Sequence, residues 1–489
     1  MVSHFLCTRT SRIHRFGVKI CRNAIPLKQC THHSHGNRTI EQKSKSSDKW
    51  GYRKVDDGFM KHDKNTPGIY HLGIVNLPKQ LENSINKYLQ NFPKKHLIED
   101  AIQLSKHLQN RGRPTERTWT KYKEAKAYRK EVQEHVDEQK KEASSEKTNE
   151  AVQETSQSTS ANKKINHHLT KKPKIQEYKT IRYQRRECAA FIADRAPATY
   201  GATLRVLHEI ARRCKDFKPE TILDFGSGAG TATWAAHKIW KDSIKIYQCV
   251  DVSRDMNDMA EQLLRNNDGY RTPHYIPRVY YKEFLPFTHK VTYDVVVASY
   301  SLTDIPFTRA RQDILDNLWR KTNHFLVIVD KGNNEGFDVT MQARDLVTNN
   351  RKAMFGTEDE QPSFVFSPCP HDLACPRLDA NTRDHPCNFE QRVQLSYAQK
   401  STNLKKYGYF NELFSYVVLC KGERNKQDLN WARLLRPVRL REKHIICDYC
   451  SKNGTLEQKI LTKRKDSDIY KCVRHHAKWG DLLPIDVKR

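Results

Sequence analysis

The sequence predicts an α/β fold built on an open, mostly parallel sheet, and three observations carry that prediction. An apolar run, Thr221 to Phe225, enters a turn holding Gly226, Gly228 and Gly230, and a helix-forming stretch follows from Thr231. A second apolar run, Ile244 to Val250, ends at Asp251, 25 residues after Gly226. Val291 to Ser299 and Phe325 to Val329 are two further short apolar runs, the pattern of parallel strands buried on both faces.

The first strand and its turn carry the first chemical signal. Glycine lets a chain turn sharply and lets a ligand approach bare backbone. The helix that follows points its unpaired N–H groups at the same crevice. An acid at the end of the next strand is placed to accept hydrogen bonds from ribose hydroxyls. The pattern here is GxGxG rather than the dinucleotide GxGxxG, and it is similar to the first motif of S-adenosylmethionine-dependent methyltransferases with a Rossmann-like sheet. The candidate cofactor-binding residues are Asp224, Gly226, Ser227, Gly228, Gly230 and Asp251.

Composition narrows the partners. The chain has 489 residues and a formal net charge of +29, from 86 basic and 57 acidic side chains. Such a surplus favours a polyanionic partner, because each neutralised phosphate releases counterions. No apolar run approaches the roughly 20 residues of a spanning helix, so nucleic acid is favoured over membrane. Thirteen cysteines, an odd number, argue against a complete disulfide framework.

In chain order, residues 1–40 contain seven Arg or Lys and no Asp or Glu, the composition of a mitochondrial transit peptide. Residues 41–130 form an N-terminal helical region, with apolar stripes in Gly73 to Phe92 and in His96 to Leu108. Residues 131–175 are rich in Lys, Glu, Gln and Ser and read as a linker or disordered insert. Residues 176–430 hold the predicted sheet, with a late strand at Phe410 to Cys420. Lys331 to Phe337 reads as a turn after the fifth strand, with Arg344 on the helix beyond it. Tyr300 to Pro306 (YSLTDIP) follows the fourth strand and lacks the Asn/Asp-Pro-Pro-aromatic box that orients an acceptor nitrogen. The residues therefore support binding a methyl donor better than transferring its methyl group, and no catalytic residue is assigned.

Residues 355–410 form a cysteine-rich insertion, with Cys369, Cys375 and Cys387 set among prolines and beside His371 and His385. Much later, Cys447 and Cys450 form a CxxC. Three loop thiolates and one from the CxxC make a four-sulfur set suited to Zn²⁺ or an iron–sulfur cluster. Residues 431–489 form a basic C-terminal module that completes this site. Arg433, Arg436, Arg439, Arg441 and Lys443 are its candidate RNA contacts, and Leu456 to Arg474 reads as a hairpin.

LDFGSGAGTATWA, SYSLTDIP, CPHDLACP, HIICDYC and WGDLLP together resemble the methyltransferase-like protein 17 family, Rsm-type assembly factors of the mitochondrial small ribosomal subunit. The resemblance covers about residues 178 to 489. It implies a Rossmann-like class I methyltransferase sheet that keeps a pocket for S-adenosylmethionine. It also implies a 4Fe-4S cluster held by Cys369, Cys375, Cys387 and Cys450, with His385 as the fallback for Cys387 and with Cys447 ranked below Cys450. The implied role is to bind rRNA in the mitochondrial matrix, as a monomer on the small ribosomal subunit, with methyl transfer lost. An active S-adenosylmethionine-dependent rRNA methyltransferase is the alternative.

Overall fold

The computed structural model describes residues 53–54, 60–61, 67–110, 180–286, 290–350, 362–379, 381–382, 384–400, 407–425 and 431–485. The segments read as transit peptide and linker, 1–40 and 131–175, lie outside the described residues.

After a short antiparallel strand pair, Arg53–Lys54 with Met60–Lys61, come two N-terminal helices, α1 (Lys79–Leu89) and α2 (Lys94–Asn110). The stripe Leu81, Ile85 and Leu89 is buried, as spacing by four residues on one helical face requires. Next come α3 (Arg185–Asp194) and α4 (Ala196–Arg213), whose wide apolar face lies against the sheet. The sheet then begins: β1 (Thr221–Phe225), α5 (Thr231–Trp240), β2 (Ile246–Val250), α6 (Arg254–Leu264), β3 (Val279–Lys282), β4 (Tyr293–Ser299), α7 (Thr308–Arg320), β5 (Thr322–Lys331) and α8 (Asn334–Asp345). It is completed by β6 (Ser363–Ser367), β7 (Phe389–Gln394) and β8 (Tyr409–Lys421).

The strand order is β3-β2-β1-β4-β5-β8-β6, with β7 also paired to β8. Strands β1 to β5 run parallel, and β8 is antiparallel to β5, β6 and β7. This is a Rossmann-like open sheet. Its order reverses between β1 and β4, and a crevice opens there at the carboxyl ends of the strands. Side chains alternate across the sheet. Val295, Val297, Phe325 and Val327 face one core with α3 to α6. Val296, Ala298, Leu326 and Ile328 face the other with α7 and α8.

A separate small sheet follows, with β9 (Ala432–Leu434), β10 (His444–Cys450), β11 (Leu456–Thr462) and β12 (Leu482–Leu483), covered by α9 (Ser467–His475). Its own core joins Ala432, Leu434, Ile445, Cys447, Leu461 and Val473. Ile69, from the N-terminal region, packs into that core. The strap around it is pinned at both ends. Leu482 N donates to Gly68 O at 2.8 Å, and Val75 exchanges backbone hydrogen bonds with Arg392 and Gln394 of β7.

Four expectations change. The hairpin expected over Leu456 to Arg474 is one strand, β11, followed by helix α9, because Ile469, Tyr470 and Val473 recur at helical spacing and are buried. The turn expected over Lys331 to Phe337 already contains the start of α8, capped by Asn333, whose side chain accepts from Gly336 N. The short strand β3 was not anticipated. The insertion at 355–410 is not all loop: β6 and β7 lie inside it, and its cysteines sit on the connection between them.

Candidate functional site

Gly226, Gly228 and Gly230 all adopt left-handed backbone, at φ 66°, 49° and 72°, so alternate residues curl the chain over the end of β1. A Cβ on Gly226 would lie 2.2 Å from the Ser301 Cβ, so the turn closes tightly on the loop after β4. A Cβ on Gly228 would meet nothing within 4 Å, and this is the open side of the crevice. Gly226 N and Ser227 N donate to Val250 O, at 2.8 and 3.1 Å, which ties the turn to the end of β2.

Asp251 stands there. Gly228 N donates to its Oδ2 and Ser253 N to its Oδ1, both at 2.9 Å. Burial raises its pKa, and those two N–H groups oppose the rise. Each carboxylate oxygen still has lone-pair capacity for a ribose hydroxyl. Asp224 sits differently: it is buried behind the turn, and Oδ2 accepts from Thr233 N at 3.1 Å and Thr233 Oγ1 at 3.0 Å. Burial pushes its pKa up to about 7 against those hydrogen bonds. In this position Asp224 holds the first turn of α5 rather than facing the crevice. The hydroxyl of Ser301 is buried without a hydrogen-bond partner, which fits a crevice shaped for a polar ligand.

A cavity of about 340 Å³ is lined by Tyr183, Arg195, Tyr300, Thr303, Asp304 and Glu412 among others, Tyr300 and Thr303 flanking the Ser301 that Gly226 faces. Its glutamate is engaged: Arg195 Nη2 donates to Glu412 Oε1 at 2.8 Å and Tyr300 Oη to the same oxygen at 3.0 Å.

Cys369, Cys375, Cys387 and Cys450 line a single small cavity together with Arg377 and Arg433. Burial pushes all four thiols up, that of Cys375 to about 12, and at Cys375, Cys387 and Cys450 the neighbouring sulfurs add to the rise. Cys447 is elsewhere. Three residues apart on β10, Cys447 and Cys450 point to opposite faces, and Cys447 is in the apolar core of the small sheet. His385 is exposed and is not part of the cavity lining, while His371 Nε2 lies 3.3 Å from Cys450 Sγ. Among the described residues no three His, Cys, Asp or Glu gather into a set that could hold a metal ion; the thiols rim a space instead of meeting at a point. Arg377, on the rim of that space, has no hydrogen-bond partner for its buried Nε, and the buried Arg344 guanidinium hydrogen-bonds the Cys369 thiol. Four sulfurs with two guanidinium groups beside them fit an anionic, thiolate-bound inorganic group.

Sequence reasoning missed the part played by Arg433. It was read as an RNA contact, but it is 1% exposed. Its Nη2 and Nη1 donate to Glu209 at 2.7 and 3.2 Å, its Nε to Pro368 O at 2.8 Å and its Nη1 to Gly480 O at 2.6 Å. Its register partner across the ladder is Cys450, so one strand pair delivers both the arginine and the fourth thiol. Only its position between two apolar residues, Ala432 and Leu434, hinted at burial. Arg436, Arg441 and Lys443 remain exposed, and Arg439 is exposed while paired with Asp448.

Comparisons with known proteins bear on the whole of this arrangement. The human protein named Ribosome assembly protein METTL17, mitochondrial, is 39% identical over 299 residues, covering 60% of this chain and 62% of the relative. Rsm22-cox11 tandem protein 2, mitochondrial, of Schizosaccharomyces pombe is 26% identical over 333 residues, 61% of this chain and 43% of the relative. The chain thus spans less than two thirds of either relative. Among solved structures, the plantazolicin methyltransferase BpumL in complex with SAH overlaps at a TM-score of 0.27 with 13% identity, covering 47% of this chain and 86% of that one. A SAM dependent methyltransferase from Aquifex aeolicus overlaps at 0.24 with 15% identity, covering 31% and 74%. Overlaps this low leave the fold to be read from the strand order itself. The model of the family described as mitochondrial small ribosomal subunit Rsm22 matches residues 185–484, from the first helix against the sheet to the last strand of the small module, and the chain belongs to that family.

Proposed function

We propose that this chain is an assembly factor of the mitochondrial small ribosomal subunit. It works in the matrix as a monomer on the immature subunit and binds rRNA through its methyltransferase-like fold and the exposed cations of its C-terminal module. The observation that carries this reading is the family match, because it spans both the sheet and that module. The names of the human and yeast relatives support it, as does the +29 charge. No described helix is long and apolar enough to cross a membrane.

The crevice over the glycine turn is proposed to hold S-adenosylmethionine. Asp251 would take the ribose, and the backbone of Ser227 to Gly230 would take the remainder. Cys369, Cys375, Cys387 and Cys450 are proposed to hold a 4Fe-4S cluster, since thiols spaced around a cavity suit a polynuclear centre better than a point ion. When bound, that group supplies a rigid cross-link between the insertion and the C-terminal module. Zinc is the alternative occupant.

Methyl transfer is proposed to be absent. Glu412, one of the two carboxylates lining the cavity of about 340 Å³, is committed to Arg195 and Tyr300. A second reading, an active rRNA methyltransferase, is favoured by one feature, the open crevice over Gly228. One variant separates the two. Gly228→Asp keeps a residue type that tolerates left-handed backbone, fills the crevice and places a negative charge beside Asp251. Donor binding, measured by calorimetry, is expected to fall at least about tenfold, equivalent to about 1.4 kcal/mol, while small-subunit assembly in cells continues. Loss of one methylated rRNA nucleotide in that variant would establish the enzyme reading instead.

A further inference from the structure

Arg344 ends α8 with its side chain fully buried. Nη2 donates to the Leu373 carbonyl, inside the cysteine loop. Nη1 pairs with Asp345 Oδ1 at 3.5 Å, but that carboxylate is 38% exposed and neutralises the guanidinium only in part. The guanidinium also hydrogen-bonds the Cys369 thiol. The contrast with Arg433 is direct, since Glu209 and backbone carbonyls satisfy that guanidinium. A buried cation whose carboxylate partner is part-exposed is costly unless a further anion completes it. The charge of Arg344 acts on Cys369, Cys375 and Cys450, three of the four thiols around the cavity. Arg377, whose buried Nε has no hydrogen-bond partner, belongs to the same loop and lines the cavity.

We propose that Arg344 is the charge-compensating donor to the metal–sulfur centre and sets how readily that centre accepts an electron. The proposal rests on the reading of the four cysteines as ligands. A thiolate-bound iron–sulfur centre carries net negative charge, and its potential follows local charge and hydrogen bonds to its sulfurs. One-electron reduction adds negative charge without making or breaking a bond, so a fixed cation beside the thiolates favours the reduced form.

The test uses the full chain, reconstituted anaerobically with ferric iron, sulfide and excess thiol, which reduces part of the iron, and titrated with dithionite, the electron donor, while visible absorbance and electron paramagnetic resonance are followed. Arg344→Gln keeps a donor for the Leu373 carbonyl and removes the charge. It is expected to shift the redox equilibrium toward the oxidised form by about tenfold or more, about 59 mV for one electron. Arg344→Lys restores the charge and is expected to titrate within about threefold of the unaltered chain. Asp345→Asn removes the competing carboxylate at a half-exposed position. It is expected to shift the equilibrium the other way by about twofold or more, and it carries the test if Arg344→Gln does not fold. A Gln variant that holds the same iron and titrates with the unaltered chain overturns the proposal, and so does a Lys variant as displaced as Gln. If Gln does not fold, an Asp345→Asn variant with no shift overturns it. A colourless unaltered chain that takes up no iron overturns the ligand reading itself, before any variant is compared.

Discussion

Cys447 and Cys450 show how one residue step decides chemistry. As text they form a CxxC; on a strand, that spacing sends the two sulfurs to opposite faces. Cys450→Ser is expected to abolish metal retention. Cys447→Ser is expected to keep the metal but destabilise the chain by about 1–3 kcal/mol, because a hydroxyl is buried in an apolar core. Iron content and melting temperature, measured on both, distinguish the two roles. Asp224 belongs to this scale too. Its burial raises the folded-state pKa to about 7, so the folded chain binds that proton more tightly than the unfolded one. Its contribution is therefore most favourable in acid and is lost as pH rises from the ordinary carboxylate range through about 7. Asp224→Asn cannot titrate, and its melting temperature is expected to fall less than that of the unaltered chain between pH 5 and pH 8. Parallel melting curves would contradict this. The glycine turn was legible because few other sequences curl in that way. The placing of Arg344 and Arg377 beside the thiols was not, because burial is settled by distant packing and leaves no trace in their spacing.

At the scale of elements, strands whose side chains lie between two layers of helix were plain. Strands β1, β2, β4 and β5 are apolar runs buried along most of their length, as is β8 from Phe414 to Cys420. Strand β3 was not, since Tyr280 is exposed and its four residues sit at the sheet edge. Strands β6 and β7 were hidden by the cysteine loop between them, whose prolines and thiols dominate the text. Helix α9 was taken for the second arm of a hairpin because its charges break the apolar rhythm that its buried residues keep. The start of α8 depends on Gly336: a Cβ there would lie 2.0 Å from Lys331 O, at the end of β5. Backbone cannot move aside as a side chain can. Gly336→Ala is expected to cost about 1–3 kcal/mol by overpacking, read as a lower urea midpoint with unchanged slope.

At the scale of the molecule, Glu209 of α4 and Arg433 of β9 clamp the large sheet to the small one. Burial by itself would raise the Glu209 pKa, but Arg433, Arg213 and Arg205 hold it at about 2. The clamp thus contributes in full above the ordinary carboxylate range and is lost as pH falls toward about 2. Glu209→Gln leaves Arg433 buried without its counter-charge and is expected to cost about 3–5 kcal/mol at pH 7. Urea unfolding measures the loss, and faster amide exchange is expected in β9 and β10. The strap around Ile69 gives this architecture a temporal consequence. Tyr70 and His71 donate their backbone N–H groups to Asp481, 411 and 410 residues downstream. A ribosome must therefore finish almost the whole polypeptide before its early segment finds a seat. Until then the nascent chain presents an unclosed apolar seam, and the cell has reason to shelter it from its neighbours while translation ends.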